Sequence, residues 1–173
     1  VLAQSRAAPP SGLRIKLLLD SPVATVEPDI REGTLRIAGL LESLGHHVEP
    51  IAAPASSLDE FLPIYQRFAA GLPVLHEGWL QPVTRWLREV GAQIDPALAQ
   101  ERVAYFERLL AGLLGDADLM LRPTTPCFAP RVGQYASLSG EEHFRQAAVL
   151  GGFTAAVNCS GQPAATVPAG LGG

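Results

Sequence analysis

The stretch from residue 13 to residue 51, LRIKLLLDSPVATVEPDIREGTLRIAGLLESLGHHVEPI, decides the class of fold. Residues 13–19 alternate polar and apolar side chains and then become wholly apolar, which predicts a strand that enters a core. Glu27-Pro28-Asp29 predicts the start of a helix, because acidic residues stabilise the first turn. Gly45 predicts the end of that helix, and residues 46–51 predict a second strand. The order strand, helix, strand is typical of a parallel sheet, so we expect an α/β protein.

The rest of the chain is predicted to be mostly helical. Capping signals mark three helices between residues 56 and 115, which begin near Ser57, Pro82 and Asp95. A short buried strand is predicted at residues 118–121. The final predicted elements are a helix over residues 141–158, weakened at Gly151-Gly152, and a strand over residues 164–167.

Length and composition exclude several classes of protein. The 173 residues suit one domain, with residues 1–12 as a linker or arm and residues 13–173 as the folded part. The content of 47% hydrophobic residues excludes disorder, and the net charge of −4 argues against nucleic acid or an anionic membrane as partner. His46 and His47 are adjacent on a predicted strand and point to opposite faces, so no metal site is expected and no cofactor is implied.

The two cysteines lie far apart in the chain. Cys127 follows a proline-rich stretch and Cys159 lies near a predicted helix end. Two cysteines are too few for a disulfide scaffold or a zinc site, so we expect free thiols and a cytoplasmic protein.

Three segments of the sequence resemble one known family. Residues 153–170, FTAAVNCSGQPAATVPAG, are similar to the pattern Phe-Thr-x-x-x-Asn-x-x-Gly-x-Pro-Ala of the amidase-signature hydrolases. Residues 118–130, DLMLRPTTPCFAP, resemble the strand and Pro-Thr loop of that family, and residues 11–15 resemble the entry to the strand after its catalytic half. The order and spacing of the three segments also agree, so the resemblance is to the C-terminal part of the family's domain.

The resemblance implies a layered α/β/α fold with a mixed sheet flanked by helices. It also implies hydrolysis of a carboxamide C–N bond through an acyl-enzyme, in which a serine is activated through a second serine and a lysine. Backbone N–H groups of a Gly/Ser-rich loop would form the oxyanion hole. Lys16 is the only lysine of this chain, and no such loop follows it. We therefore expect no catalytic residue here, a triad in an N-terminal half, and a chain that is incomplete at both ends.

The resemblance places candidate substrate-binding residues in two regions and adds one tryptophan from the helical middle. The Pro-Thr loop would form one wall of the pocket, because functional residues favour loops held by rigid strands. In the family, some side chains of the variable middle close over the acyl pocket. The candidates are Pro123, Thr124, Thr125, Pro126, Phe153, Asn158 and Trp86.

Two other functions remain open from the sequence. The chain could be a non-catalytic α/β module that binds a partner through an exposed sheet edge at residues 164–167. It could also be a free-standing enzyme that uses Cys127, although a reactive thiolate needs a cationic or helix-N-terminal setting. The amidase interpretation predicts a small-molecule amide as ligand, bound together with the N-terminal half.

Overall fold

The computed structural model describes residues 9–170. The predicted arm at residues 1–12 lies largely outside the described residues, as do residues 171–173. Within the described range the elements follow one another in this order: β1 (Arg14–Leu18), α1 (Pro28–Ser43), β2 (His47–Ile51), α2 (Leu58–Gly71), a 3₁₀ turn (Glu77–Trp79), α3 (Pro82–Gly91), α4 (Pro96–Leu114), β3 (Leu119–Leu121), α5 (Gly140–Ala147), a second 3₁₀ turn (Ala148–Gly151) and α6 (Ala155–Ser160).

The described sheet has three parallel strands in the order β2-β1-β3. Ile15 of β1 lies between Val48 of β2 and Leu119 of β3. This central position explains the apolar character of β1, in which Ile15, Leu17 and Leu18 are all buried. Parallel pairing requires crossover connections, which α1 and the helices from α2 to α4 provide. The predicted α/β class is therefore confirmed.

The helices after β2 pack into a layer that holds the larger part of the core. Helix α2 contacts α3 and α4, while α4 also contacts α6 and α3 contacts α5. Leu62 and Ala69 of α2 form a buried cluster with Leu87 of α3. Arg88 of α3 donates hydrogen bonds to the carbonyl oxygens of Ala69 (2.6 Å) and Leu72 (2.7 Å). These carbonyl groups at the C-terminal end of α2 thereby gain hydrogen-bond partners. None of the helices between residues 9 and 170 has both the length and the apolar composition that a bilayer crossing requires.

The structure differs from two sequence predictions about the last third of the chain. The predicted helix over residues 141–158 is divided into α5, the 3₁₀ turn and α6, and the break falls at Gly152, within the predicted weak point. A Cβ at Gly152 would lie 2.6 Å from Ser21 Oγ, so this glycine allows the chain to approach the loop after β1 closely.

The predicted strand over residues 164–167 is not formed. These residues are exposed and have no regular structure, and Val167 is 68% exposed. A strand needs a neighbour for its backbone groups, and none pairs with this segment among residues 9–170. The two edges of the described sheet are β2 and β3.

Candidate functional site

The carboxyl ends of the parallel strands define one edge of the sheet, where ligands of α/β proteins commonly bind. The loop after β1 and the Pro-Thr loop after β3 both start at this edge. The N–H of Glu27 donates to the carbonyl oxygen of Pro126 (2.8 Å), which ties the segment before α1 to the Pro-Thr loop. Ser21 Oγ donates to the carbonyl oxygen of Gly152 (3.2 Å), which ties the loop after β1 to the break before α6.

A cavity of about 350 Å³ lies beside the loop after β1. One wall consists of aromatic side chains from α2, α4 and α5, and another consists of small residues from the end of α5 to the start of α6. Pro22 and Val23 close it on the side of β1. Its lining residues are Pro22, Val23, Ser56, Ser57, Leu58, Phe61, Tyr65, Val83, Phe106, His143, Phe144, Ala147, Ala148, Gly151, Gly152, Ala155 and Ala156.

Local capping positions the two helices that carry most of the aromatic wall. The N–H of Ser57 donates to Glu60 Oε2 (2.9 Å) at the start of α2. At the start of α5, Ser139 Oγ accepts the N–H of Glu142 (3.2 Å), and the Glu142 carboxylate accepts the N–H of Ser139 (3.0 Å). The hydrogen bonds from Ser139 lower the pKa of Glu142. Ser57 therefore has the helix-capping role that its sequence context predicts.

A second, larger cleft of about 1000 Å³ lies along β3. Its lining comes from β1, α1, β3, the Pro-Thr loop and residues 162–170, and Thr124 and Thr125 belong to it. Arg122 also lines this cleft. Its side chain makes no hydrogen bond or ion pair with any residue between 9 and 170, and burial lowers the pKa of its guanidinium.

The structure separates the sequence-predicted site residues into several places. Pro123, Thr124 and Thr125 line the larger cleft, whereas Pro126 of the same loop is fully buried. Phe153 is buried in the core. Trp86 packs on Phe144, with ring centroids 6.0 Å apart, behind the wall of the smaller cavity.

Asn158 is exposed on α6 and donates its N–H to the carbonyl oxygen of Thr154 (3.1 Å). None of the seven candidates lines the 350 Å³ cavity. Their roles in substrate binding therefore stay predictions.

The aromatic wall of the smaller cavity was not identified as a binding surface from the sequence. Phe61, Tyr65 and Phe106 occur at helical spacing, which predicts a core-facing stripe, and that spacing does not distinguish a filled core from a cavity wall. A cavity forms here because the residues around Gly151, which face these rings, are small. Only the tertiary fold brings these small residues opposite the rings.

The two cysteines are free and half-buried. Burial raises the pKa of the Cys159 thiol to about 11, which opposes formation of a thiolate. Neither cysteine lines the smaller cavity. Within residues 9–170, no group of three or more His, Cys, Asp or Glu side chains is arranged to hold a metal ion.

Comparison with solved structures defines the class of fold. The fold matches a bacterial aryl acylamidase of the amidase signature enzymes family, with a TM-score of 0.70, 21% identity, and coverage of 93% of this chain and 38% of that enzyme. It also matches 6-aminohexanoate cyclic dimer hydrolase complexed with substrate, with a TM-score of 0.69, 21% identity, and coverage of 92% and 39%. The chain therefore has the fold of part of an amidase-signature enzyme.

The sequence relatives of this chain are also named as amidases. The chain is 29% identical to "Putative amidase AmiC" of Mycobacterium tuberculosis over 90% of its own length and 36% of the relative. It is 24% identical to "Putative amidase" of Synechocystis sp. over 94% of its length and 32% of that relative. No family model matches the chain. The chain spans about a third of the length of these relatives, and its resemblance to the C-terminal portion of the amidase-signature hydrolases is confirmed.

Proposed function

We propose that this chain forms substrate-pocket walls of an amidase that hydrolyses a carboxamide C–N bond through a serine acyl-enzyme. The observation that carries the proposal is the cavity at the carboxyl edge of the sheet, in a chain whose relatives are named amidases and are about three times as long. The Lys–Ser–Ser triad would lie in the portion that those relatives have and this chain does not span.

The surroundings of Lys16 support a triad outside this chain. Lys16 lies in the middle of the central strand β1, and its Nζ is 2.6 Å from Glu49 Oε2 on β2. This ion pair joins two neighbouring strands, so the amine contacts a carboxylate and has a structural role. A general base for a serine must be within hydrogen-bond reach of that serine.

The features of the larger cleft support packing of the rest of the enzyme against β3. Leu119 of the edge strand β3 is 51% exposed, and the strand has no charged side chain to prevent pairing. We expect the remaining portion to pair with β3 and to supply an anionic partner to the half-buried Arg122, because a partly desolvated charge without a partner is costly. Thr124 and Thr125 would then face the junction of the two portions. A cytoplasmic location, which the two free thiols favour, is part of this proposal.

The test is to trap the acyl-enzyme of the intact natural protein with a serine-reactive probe and to map the adduct by peptide mass spectrometry. We expect the adduct on a serine outside residues 1–173, and we expect a neutral aryl amide to prevent labelling. Lys16→Ala should retain labelling, because Lys16 is expected to have no catalytic role. An adduct on Cys127 or on Ser57, or loss of labelling in a folded Lys16→Ala variant, would contradict the proposal.

A further inference from the structure

The 350 Å³ cavity has the size of a site for a small organic group. Ligand pockets in proteins commonly measure about 300–1,000 Å³, so this one lies at the lower end of the range. It is closed on one side by the segment at Pro22 and Val23 and on the other by α2 and α5. This volume suits a single ring with its substituents and not a peptide or a sugar chain.

The aromatic wall is built as one connected set of rings. Phe61 lies 4.8 Å from Tyr65 and 5.8 Å from Phe106, measured between ring centroids. Tyr65 lies 5.9 Å from Phe144, which in turn rests on Trp86. The interplanar angles of these pairs range from 44° to 79°, so the rings contact one another in tilted and edge-to-face arrangements. Such a wall is held in place by its own packing.

The opposite wall leaves the space open because its side chains are small. Ala147, Ala148, Gly151, Ala155 and Ala156 contribute at most a methyl group each. This wall is fixed to the sheet edge by the hydrogen bond from Ser21 Oγ to the Gly152 carbonyl oxygen. The cavity is therefore a slot between rigid rings and a short-chain wall, and a larger side chain at Ala148 would fill part of it.

The composition of the lining disfavours ionic ligands. Among the lining residues that the structure describes, none is Asp, Glu, Lys or Arg, and the polar side chains are those of Ser56, Ser57, Tyr65 and His143. An ionised group that leaves water for such a site loses its hydration without gaining a partner of opposite charge. A cation could still be attracted by ring faces, which makes a cationic probe a necessary comparison.

We infer that this cavity binds an uncharged aromatic group of the substrate, and that Ala148 limits the size of that group. The assignment of the group to an amide substrate rests on the proposed function. Occupation of the cavity by a neutral ring does not rest on it, so binding can be measured without any turnover.

The test uses three ligands of nearly equal shape and different charge, which are benzamide, benzoate and benzamidine. Their binding to the intact natural protein is measured by titration calorimetry and by the shift of Tm. We expect benzamide to bind at least tenfold more tightly than benzoate or benzamidine. Equal or tighter binding of either ion, or no binding of benzamide at millimolar concentration, would overturn the inference.

A matched pair of variants locates the binding. Ala148→Leu should weaken benzamide binding at least tenfold, whereas Ala111→Leu, on the exposed face of α4, should leave it unchanged. Unchanged binding in a folded Ala148→Leu variant would place the ligand elsewhere and overturn the inference. The comparison of the three ligands needs no variant and stands even if Ala148→Leu does not fold. If benzamide binds as expected but no amide is hydrolysed, the proposed function fails while the inferred site remains.

Discussion

Substitution of Gly91 by alanine should separate α3 from α2, the helix that carries Phe61 and Tyr65. Gly91 is the last residue of α3, and a Cβ at this position would overlap the carbonyl group of Gln66 and lie 3.1 Å from the backbone nitrogen of Arg67. Backbone atoms cannot rotate away as a side chain can, so α3 itself must move. We expect that movement to loosen the buried contacts between α2 and Leu87.

The expected cost follows from two opposing effects. Overpacking of a tight contact costs about 1–3 kcal/mol, and overlap with backbone places Gly91→Ala at the upper end of that range. Alanine is more favourable than glycine in a helix by about 1 kcal/mol. The free energy of unfolding should therefore fall by about 2 kcal/mol, which is about a 30-fold change in the unfolding equilibrium.

Urea unfolding followed by circular dichroism measures this change. Gly112→Ala is the matched control, because Gly112 lies within α4 and no atom is within 4 Å of the position of its Cβ. This control should become more stable by about 1 kcal/mol, since only helix propensity changes. If Gly91→Ala is as stable as the parent or more stable, the close approach of α2 and α3 is refuted.

Three further perturbations test separate parts of the structure. Asp95→Ala should lower the free energy of unfolding by about 1 kcal/mol in urea titrations, because Asp95 Oδ1 accepts the N–H of Ala97 (2.9 Å) at the start of α4; no loss would contradict the cap. Burial raises the pKa of Cys159 from about 9 to about 11, so the protonated thiol favours the folded state and Tm should decline as pH rises from 9 towards 11. The decline of Tm with pH should be smaller in Cys159→Ala. Equal declines in the parent and in this variant would show that the effect does not come from Cys159. Arg122→Met should raise the Tm of the 173-residue chain and lower that of a longer natural protein, while a rise in both would show that no anionic partner reaches Arg122.

Local signals were sufficient to predict most of the helices and the central strands. Pro96 after Asp95 and the glycine at 115 mark both ends of α4, and the φ of 57° at Gly115 shows why glycine is required there. The apolar run at the end of β1 predicted a strand that enters the core, because burial on both faces leaves a nearly continuous apolar run. These are properties that a few neighbouring residues determine.

The wrong predictions depend on contacts that sequence spacing does not contain. Residues 164–167 have small and β-branched side chains, but a strand forms only where another strand satisfies its backbone. The glycine pair at 151–152 predicted a weak point in the helix, but the close contact of Gly152 with Ser21 joins residues 131 positions apart in the chain. The cavity escaped prediction for the same reason, because helical spacing identifies Phe61 as inward-facing without showing whether another side chain fills the space in front of it.

The central claim is that this chain forms pocket walls while another portion performs the chemistry. The most direct measurement compares hydrolysis of one neutral aromatic anilide by the 173-residue chain and by the protein purified from its natural source, whose intact mass is determined at the same time. We predict turnover by a natural protein well above 18.3 kDa and none by the 173-residue chain. Turnover by the 173-residue chain alone, or a natural protein of 18.3 kDa that hydrolyses the anilide, would contradict the account.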